Sequence, residues 1–227
     1  MFNVLATSTA LDGRSFFYAN PLHVRVPAAP STSLNQAAEG GLRSPWFSVS
    51  CCPNNIARTL ASLPAYFATG TGAGVQIHQY ASGEIRCGDQ VLEVETGYPW
   101  SGEVRVRASG SGRVSLRVPP WASGATLAYG GAVRVVGPGY AHVEVAAGGT
   151  VVLDLPVAPR WTLPDRRIDA VRGSVAVERG TLVYCAESVG DEPPLADVSV
   201  LASEPVDRVM EVDVRASLAA PALPSSG

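Results

Sequence analysis

Arg113-Val114-Ser115-Leu116-Arg117-Val118 is the stretch on which the fold class turns. Its polar and apolar side chains alternate. Neighbouring residues of a strand point to opposite faces, so Val114, Leu116 and Val118 share a core face while Arg113 and Arg117 meet water. Upstream, Val104-Arg105-Val106-Arg107 repeats the pattern. Further strands are predicted over residues 74–80, 91–95, 142–145, 151–155, 174–178 and 181–185. Gly and Pro turns separate them at intervals of roughly 8–12 residues, the spacing of antiparallel β-sandwiches. Residues 156–164 read as a linker that divides the β part in two.

Ahead of residue 70 the period changes. Ile56, Leu60, Leu63 and Phe67 recur at steps of 4, 3 and 4 residues, one stripe of a helix. Asn54 or Asn55 is placed to cap its first N–H groups. Pro64 removes a hydrogen bond and costs ~3 kcal/mol inside a helix, so the helix is predicted to kink or stop near Leu63. One helix cannot bury its own stripe: it packs on the first sandwich, or its partners are missing from this chain. Asp12-Gly13 between two apolar runs predicts a hairpin within residues 1–26, with Phe16-Phe17-Tyr18 continuing as a strand. Residues 27–44 read as a loop and 216–227 as a disordered tail.

Chemistry concentrates at Ser48-Val49-Ser50-Cys51-Cys52-Pro53-Asn54-Asn55. Adjacent cysteines make a poor disulfide, because one peptide unit rarely allows relaxed bridge geometry. They are better suited to offer two thiolates to one metal, or one thiolate to a substrate. The N–H groups at the start of the following helix favour the ionised thiol. The plain alternative is two buried apolar cysteines at a helix entry. Cys87 and Cys185 fall in extended segments and read as structural. Trp46 and Phe47 approach the pair, as an apolar wall beside it or as loop packing. His78 shares a strand face with Gln76 and Tyr80, opposite Val75 and Ile77, and reads first as a packed or surface residue.

The 227 residues carry a net charge of −3, which gives no sign of a nucleic-acid partner. All 17 basic residues are arginine, a compositional bias of a GC-rich genome. No run is long and apolar enough for a membrane span, and Met1-Phe2-Asn3-Val4-Leu5-Ala6-Thr7 lacks the basic start of a secretory signal. Four cysteines without framework spacing fit a reducing compartment, so a cytoplasmic location is expected.

Several segments together resemble one family. They are residues 11–22 from Leu11-Asp12-Gly13 to Asn20-Pro21-Leu22, Cys51-Cys52-Pro53-Asn54-Asn55-Ile56-Ala57-Arg58, Val75-Gln76-Ile77-His78-Gln79-Tyr80, Leu116-Arg117-Val118-Pro119-Pro120-Trp121-Ala122, and Glu178-Arg179-Gly180-Thr181-Leu182-Val183-Tyr184. In this order they resemble motifs of the β-L-arabinofuranosidases of glycoside hydrolase family 127. The second is similar to that family's Cys-Cys-Pro-Pro-Asn-Ile-Ala-Arg signature. The resemblance implies an (α/α)6 barrel followed by two β-sandwiches, and hydrolysis of terminal β-L-arabinofuranosides with retention. It also implies a zinc ion held by a glutamate and three cysteines, one of them the nucleophile. By motif match Cys51 is the expected nucleophile and a zinc ligand, and Cys52 the second zinc ligand of this segment. Tyr18 is either a core residue or a donor to a sugar hydroxyl.

The departures are equally specific. The family's Glu-x-Cys ligands and acid/base glutamate precede the hairpin, whereas no Glu-x-Cys occurs in this chain, and Asp12 and Glu39 are the only acidic residues before Cys51. The chain is therefore expected to be the C-terminal part of such an enzyme, through truncation, a broken gene or a misplaced start codon. The expected organisation is mainly β: residues 1–70 a hairpin-plus-helix remnant of the barrel, 71–160 a first antiparallel sandwich, and 161–227 a second, incomplete one. The expected function is that of an inactive fragment of a zinc-dependent retaining glycosidase, with an incomplete zinc site. Its expected partners are L-arabinofuranosides and, through the exposed remnant surface, further copies of itself. The competing expectation is a non-catalytic carbohydrate-binding or structural β-sandwich module.

Overall fold

The computed structural model describes Asn3 and residues 8–18, 43–47 and 51–186. The helix and all the strands named here lie within 51–186. The helix, α1, covers Cys51–Ser62. A single 3₁₀ turn, Leu63–Tyr66, follows with Pro64 in its first two positions. The α-helix thus ends where Pro64 requires it to. Its start differs from expectation: α1 begins at Cys51, so Asn54 and Asn55 lie inside the helix and do not cap it. Pro53 fits in the first turn because the N–H it lacks has no intrahelical acceptor there. None of the twelve residues of α1 is buried.

Among the described residues, thirteen strands form three sheets. The first contains β1 (Ala68–Thr71), β2 (Gly74–Ile77), β6 (Gly112–Val118) and β9 (Gly139–Val145), in that spatial order. The second runs β3 (Gly83–Cys87), β4 (Gln90–Thr96), β5 (Glu103–Ala108), β10 (Thr150–Asp154), β7 (Thr126–Tyr129), β8 (Ala132–Val135). Period-2 residues decide which face is dry. Val114, Leu116 and Val118 of β6 are buried while Arg113 and Arg117 are exposed, and β5 buries Val104, Val106 and Ala108 in strict alternation. These residues join Val75, Ile77, Leu92, Val94, Leu127, Val151 and Leu153 in one hydrophobic cluster fed by both sheets. Pairing is antiparallel except between β2 and β6, which run parallel with Val75 opposite Val114, so the expected all-antiparallel arrangement is corrected there.

The third sheet consists of β11 (Pro159–Thr162), β12 (Ala176–Arg179) and β13 (Leu182–Tyr184). Part of the segment predicted as a linker is therefore strand β11. Proline is tolerated as its first residue because that position need not donate to the ladder. Two compact units emerge from the chain: Ala57–Ala158 is one, and Met1–Ile56 with Pro159–Gly227 is the other. Within the second unit, Asn3 clamps the β12–β13 hairpin: its Nδ2 donates to the Thr181 carbonyl at 2.9 Å and its Oδ1 accepts from the Val183 N–H at 3.0 Å. The expected tail over 216–227 and most of the expected loop over 27–44 lie outside the described residues.

The predicted N-terminal hairpin is present in reduced form. Gly13, at φ 69°, turns the chain, and Thr9 and Phe16 form an isolated bridge. Phe16 also exchanges two backbone hydrogen bonds of 3.0 Å with Ser44. Residues 16–18 are thus bridged at one point, not a continuous strand.

Candidate active site

Local structure brings three predicted residues together. The Phe16–Ser44 bridge brings the 8–18 turn beside residues 43–47. Phe47, 1% exposed, seats against the Phe16 ring at 5.1 Å and the Tyr18 ring at 5.2 Å. Arg43 lies over Phe17, 4.1 Å from the ring centre. Tyr18 is held by this packing, and its hydroxyl lies 3.1 Å from Cys51 Sγ. Cys52 Sγ is 3.7 Å from Cys51 Sγ, and both cysteines are exposed in the first turn of α1. The buried-cysteine alternative is thereby set aside.

The electrostatics follow from that contact. The phenol of Tyr18 donates to the Cys51 sulfur and, with the Cys52 thiol, holds the Cys51 thiol below its ordinary range. The reciprocal effect pushes the Tyr18 phenol up, because its ionisation would give up the hydrogen bonds to Cys51 and Cys52. The arrangement is thus a thiol biased toward its ionised form with a phenol beside it, and the ionised sulfur can act as a nucleophile or a soft ligand.

A zinc ion can be tested against this geometry. Two thiolates at ~2.3 Å from a tetrahedral zinc sit about 3.8 Å apart. The observed 3.7 Å fits that donor pair. Among the described residues, no group of three His, Cys, Asp or Glu side chains stands ready for a metal, so the pair supplies two positions.

Other candidates separate from the site. The ring nitrogens of His78 meet Thr69 Oγ1 at 2.9 Å and Tyr140 Oη at 2.6 Å, so the imidazole is a packed residue. Tyr80 lies in the core, not on the His78 face as expected, and its hydroxyl donates to the Arg117 carbonyl at 2.6 Å. Burial pushes its phenol pKa well up. Trp46 is exposed and Phe47 buried, so the two form no shared wall. Cys87 lies in β3 with its sulfur packed against Gly70, while Cys185 is exposed just after β13. Ser44 and Arg43 are the positioning residues that sequence reading missed; they sit in a stretch read as loop, where nothing in the spacing announces a partner 28 residues upstream.

The chain is similar along its length to known proteins. Residues 1–65 match the model of the β-L-arabinofuranosidase catalytic domain of glycoside hydrolase family 127. Residues 74–157 match that family's middle domain, and 159–221 its C-terminal domain. A non-reducing end β-L-arabinofuranosidase of Bifidobacterium longum subsp. longum is 32% identical over 208 residues, 85% of this chain and 31% of that protein. The crystal structure of a β-L-arabinofuranosidase from Geobacillus stearothermophilus T6 superposes with a TM-score of 0.69 at 30% identity, covering 84% of this chain and 32% of that one. A second structure, of a β-arabinofuranosidase of the same family, gives a TM-score of 0.64 at 30% identity over 81% of this chain and 31% of its own. A chain whose described residues are mainly β, with three sheets and one α-helix, and which is matched in order by catalytic, middle and C-terminal segments, is of the glycoside hydrolase class. It belongs to glycoside hydrolase family 127. The chain spans about a third of the length of these relatives.

Proposed function

We propose that this chain carries the nucleophile-bearing part of a retaining, zinc-dependent β-L-arabinofuranosidase and does not turn over by itself. The observation that carries the reading is the exposed Cys51–Cys52 pair, 3.7 Å between sulfurs, with the Tyr18 hydroxyl 3.1 Å from Cys51, inside the segment that matches the family's catalytic domain. In this reading Cys51 Sγ attacks the anomeric carbon of a terminal arabinofuranoside, the glycosidic C–O bond breaks, and the aglycone leaves as an alcohol with a proton from a general acid. Water then displaces the sulfur from the opposite face, and two inversions give net retention. Tyr18 favours the ionised form of Cys51 and, seated against Phe47, fixes the direction of its contact with the sulfur. Cys51 and Cys52 would hold zinc, which supplies charge stabilisation to the thiolates when bound. A general acid and the remaining zinc ligands come from residues outside these 227.

The same reading takes the residues ahead of β2 as a barrel remnant, the two large sheets as a β-sandwich, and β11–β13 as part of a second. The test is to extend the reading frame upstream of Met1 in the genomic DNA and assay the longer chain on p-nitrophenyl β-L-arabinofuranoside. Arabinose release that disappears in Cys51→Ser is the expected result. An upstream frame lacking Glu-x-Cys and helical repeats, or undiminished release by Cys51→Ser, rejects the proposal.

A further inference from the structure

The two exposed thiols have a property that depends neither on zinc nor on a sugar. Their Cα atoms are joined by one peptide unit and so lie ~3.8 Å apart if that unit is trans, below the roughly 4.4–6.8 Å span of a relaxed disulfide. The sulfurs stand 3.7 Å apart, well beyond the ~2.05 Å of an S–S bond. Closing that bond demands a distorted first turn of α1, so the pair is built to persist as a dithiol. A separation of 3.7 Å is instead the span of one bridging atom bonded to both sulfurs. A zinc site takes four donors, which the pair only half fills. A trivalent arsenic atom that already carries one organic group needs two more bonds, which the pair supplies completely.

We propose that Cys51 and Cys52 form a two-point clamp for monosubstituted trivalent arsenicals, a ligand class for which two thiols at this spacing are a full coordination set. With phenylarsonous acid, two As–O bonds break and two As–S bonds form. Each oxygen leaves as water with one thiol proton, arsenic stays trivalent, and neither sulfur is oxidised. The adduct occupies the Cys51 sulfur, so it blocks any chemistry that atom performs.

The test uses the full chain, stripped of metal with a chelator, exposed to phenylarsonous acid and washed with glutathione. Intact mass is expected to show one phenylarsenic group per chain that survives the monothiol and leaves with 2,3-dimercaptopropanol. Trypsin isolates residues 44–58 between Arg43 and Arg58, a peptide that holds both thiols of the pair and no other cysteine, and the adduct is expected there. Cys51→Ser and Cys52→Ser should each lower retention by roughly a hundredfold, because a chelate loses its second attachment. The double variant Cys87→Ser/Cys185→Ser should retain the group fully. Displacement by glutathione, an adduct mapped outside 44–58, or full retention by either single variant of the pair overturns the clamp. The peptide map reads the unaltered chain, so it decides the matter even if a variant fails to fold. No sugar or zinc enters the assay, so its failure leaves the hydrolase proposal standing.

Discussion

A 3.1 Å contact between a phenol and a thiol makes Cys51 more than an exposed cysteine. The Tyr18 proton favours the charged sulfur, so removing it raises the thiol pKa and thins the thiolate at any pH below the new midpoint. In metal-free chain lacking Cys52, Tyr18→Phe is expected to slow iodoacetamide alkylation of Cys51 near neutral pH by roughly threefold, and to move the rate–pH midpoint upward. A midpoint that stays put removes Tyr18 from the site. Gly102 shows the same dependence on single atoms, since a Cβ there would sit 1.7 Å from the Leu155 carbonyl oxygen. That carbonyl is main chain and cannot swing aside. Gly102→Ala should therefore cost more than the ~1 kcal/mol typical of point changes, read as a lower urea midpoint at unchanged slope.

Among the elements, α1 and β6 make opposite demands. Leu60 on α1 is 46% exposed, whereas Leu116 on β6 is wholly buried among residues of both large sheets. Leu116→Ala should destabilise by about 2–5 kcal/mol through lost burial and a residual cavity. Leu60→Gln should stay within about 0.5 kcal/mol, as surface changes do. Equal effects would mean that α1 has a partner in solution, and a concentration-dependent sedimentation coefficient would show that partner to be a second copy. The same contrast explains what was legible in the sequence. β5 and β6 could be read because one face is dry and the other wet. β8 (Ala132–Val135) was missed because all four of its residues are exposed, so burial leaves no pattern to find. β11 was missed because Pro159 and Pro164 resemble linker punctuation, although a strand may begin with proline. The cysteine pair could be picked out by adjacency and motif. Its contact with Tyr18 spans 33 residues and depends on the Phe16–Ser44 bridge, which no local periodicity encodes.

Taken whole, the molecule holds two adjacent exposed thiols inside the segment that matches the family's catalytic domain, in a chain about a third as long as its relatives. The isolated chain is expected to release no arabinose from p-nitrophenyl β-L-arabinofuranoside. It should also bind zinc weakly, with binding lost in a Cys51→Ser/Cys52→Ser double variant, as followed by competition with a chromogenic chelator. Turnover by the isolated chain, or equal zinc retention by the double variant, contradicts the incomplete-site reading. Retarded migration of the double variant in an arabinan gel would support the binding-module alternative. The Asn3 clamp on the β12–β13 hairpin has a consequence for biogenesis. Its two halves are 178 and 180 residues apart, while Ala57–Ala158 lies between them as a continuous unit. A ribosome adding about 5–20 residues per second releases the middle unit first. The clamp around the nascent N-terminal segment can close only seconds later, once Val183 clears the exit tunnel. Asn3, made before the middle unit, is thus fastened to the β12–β13 hairpin only after that unit has been made.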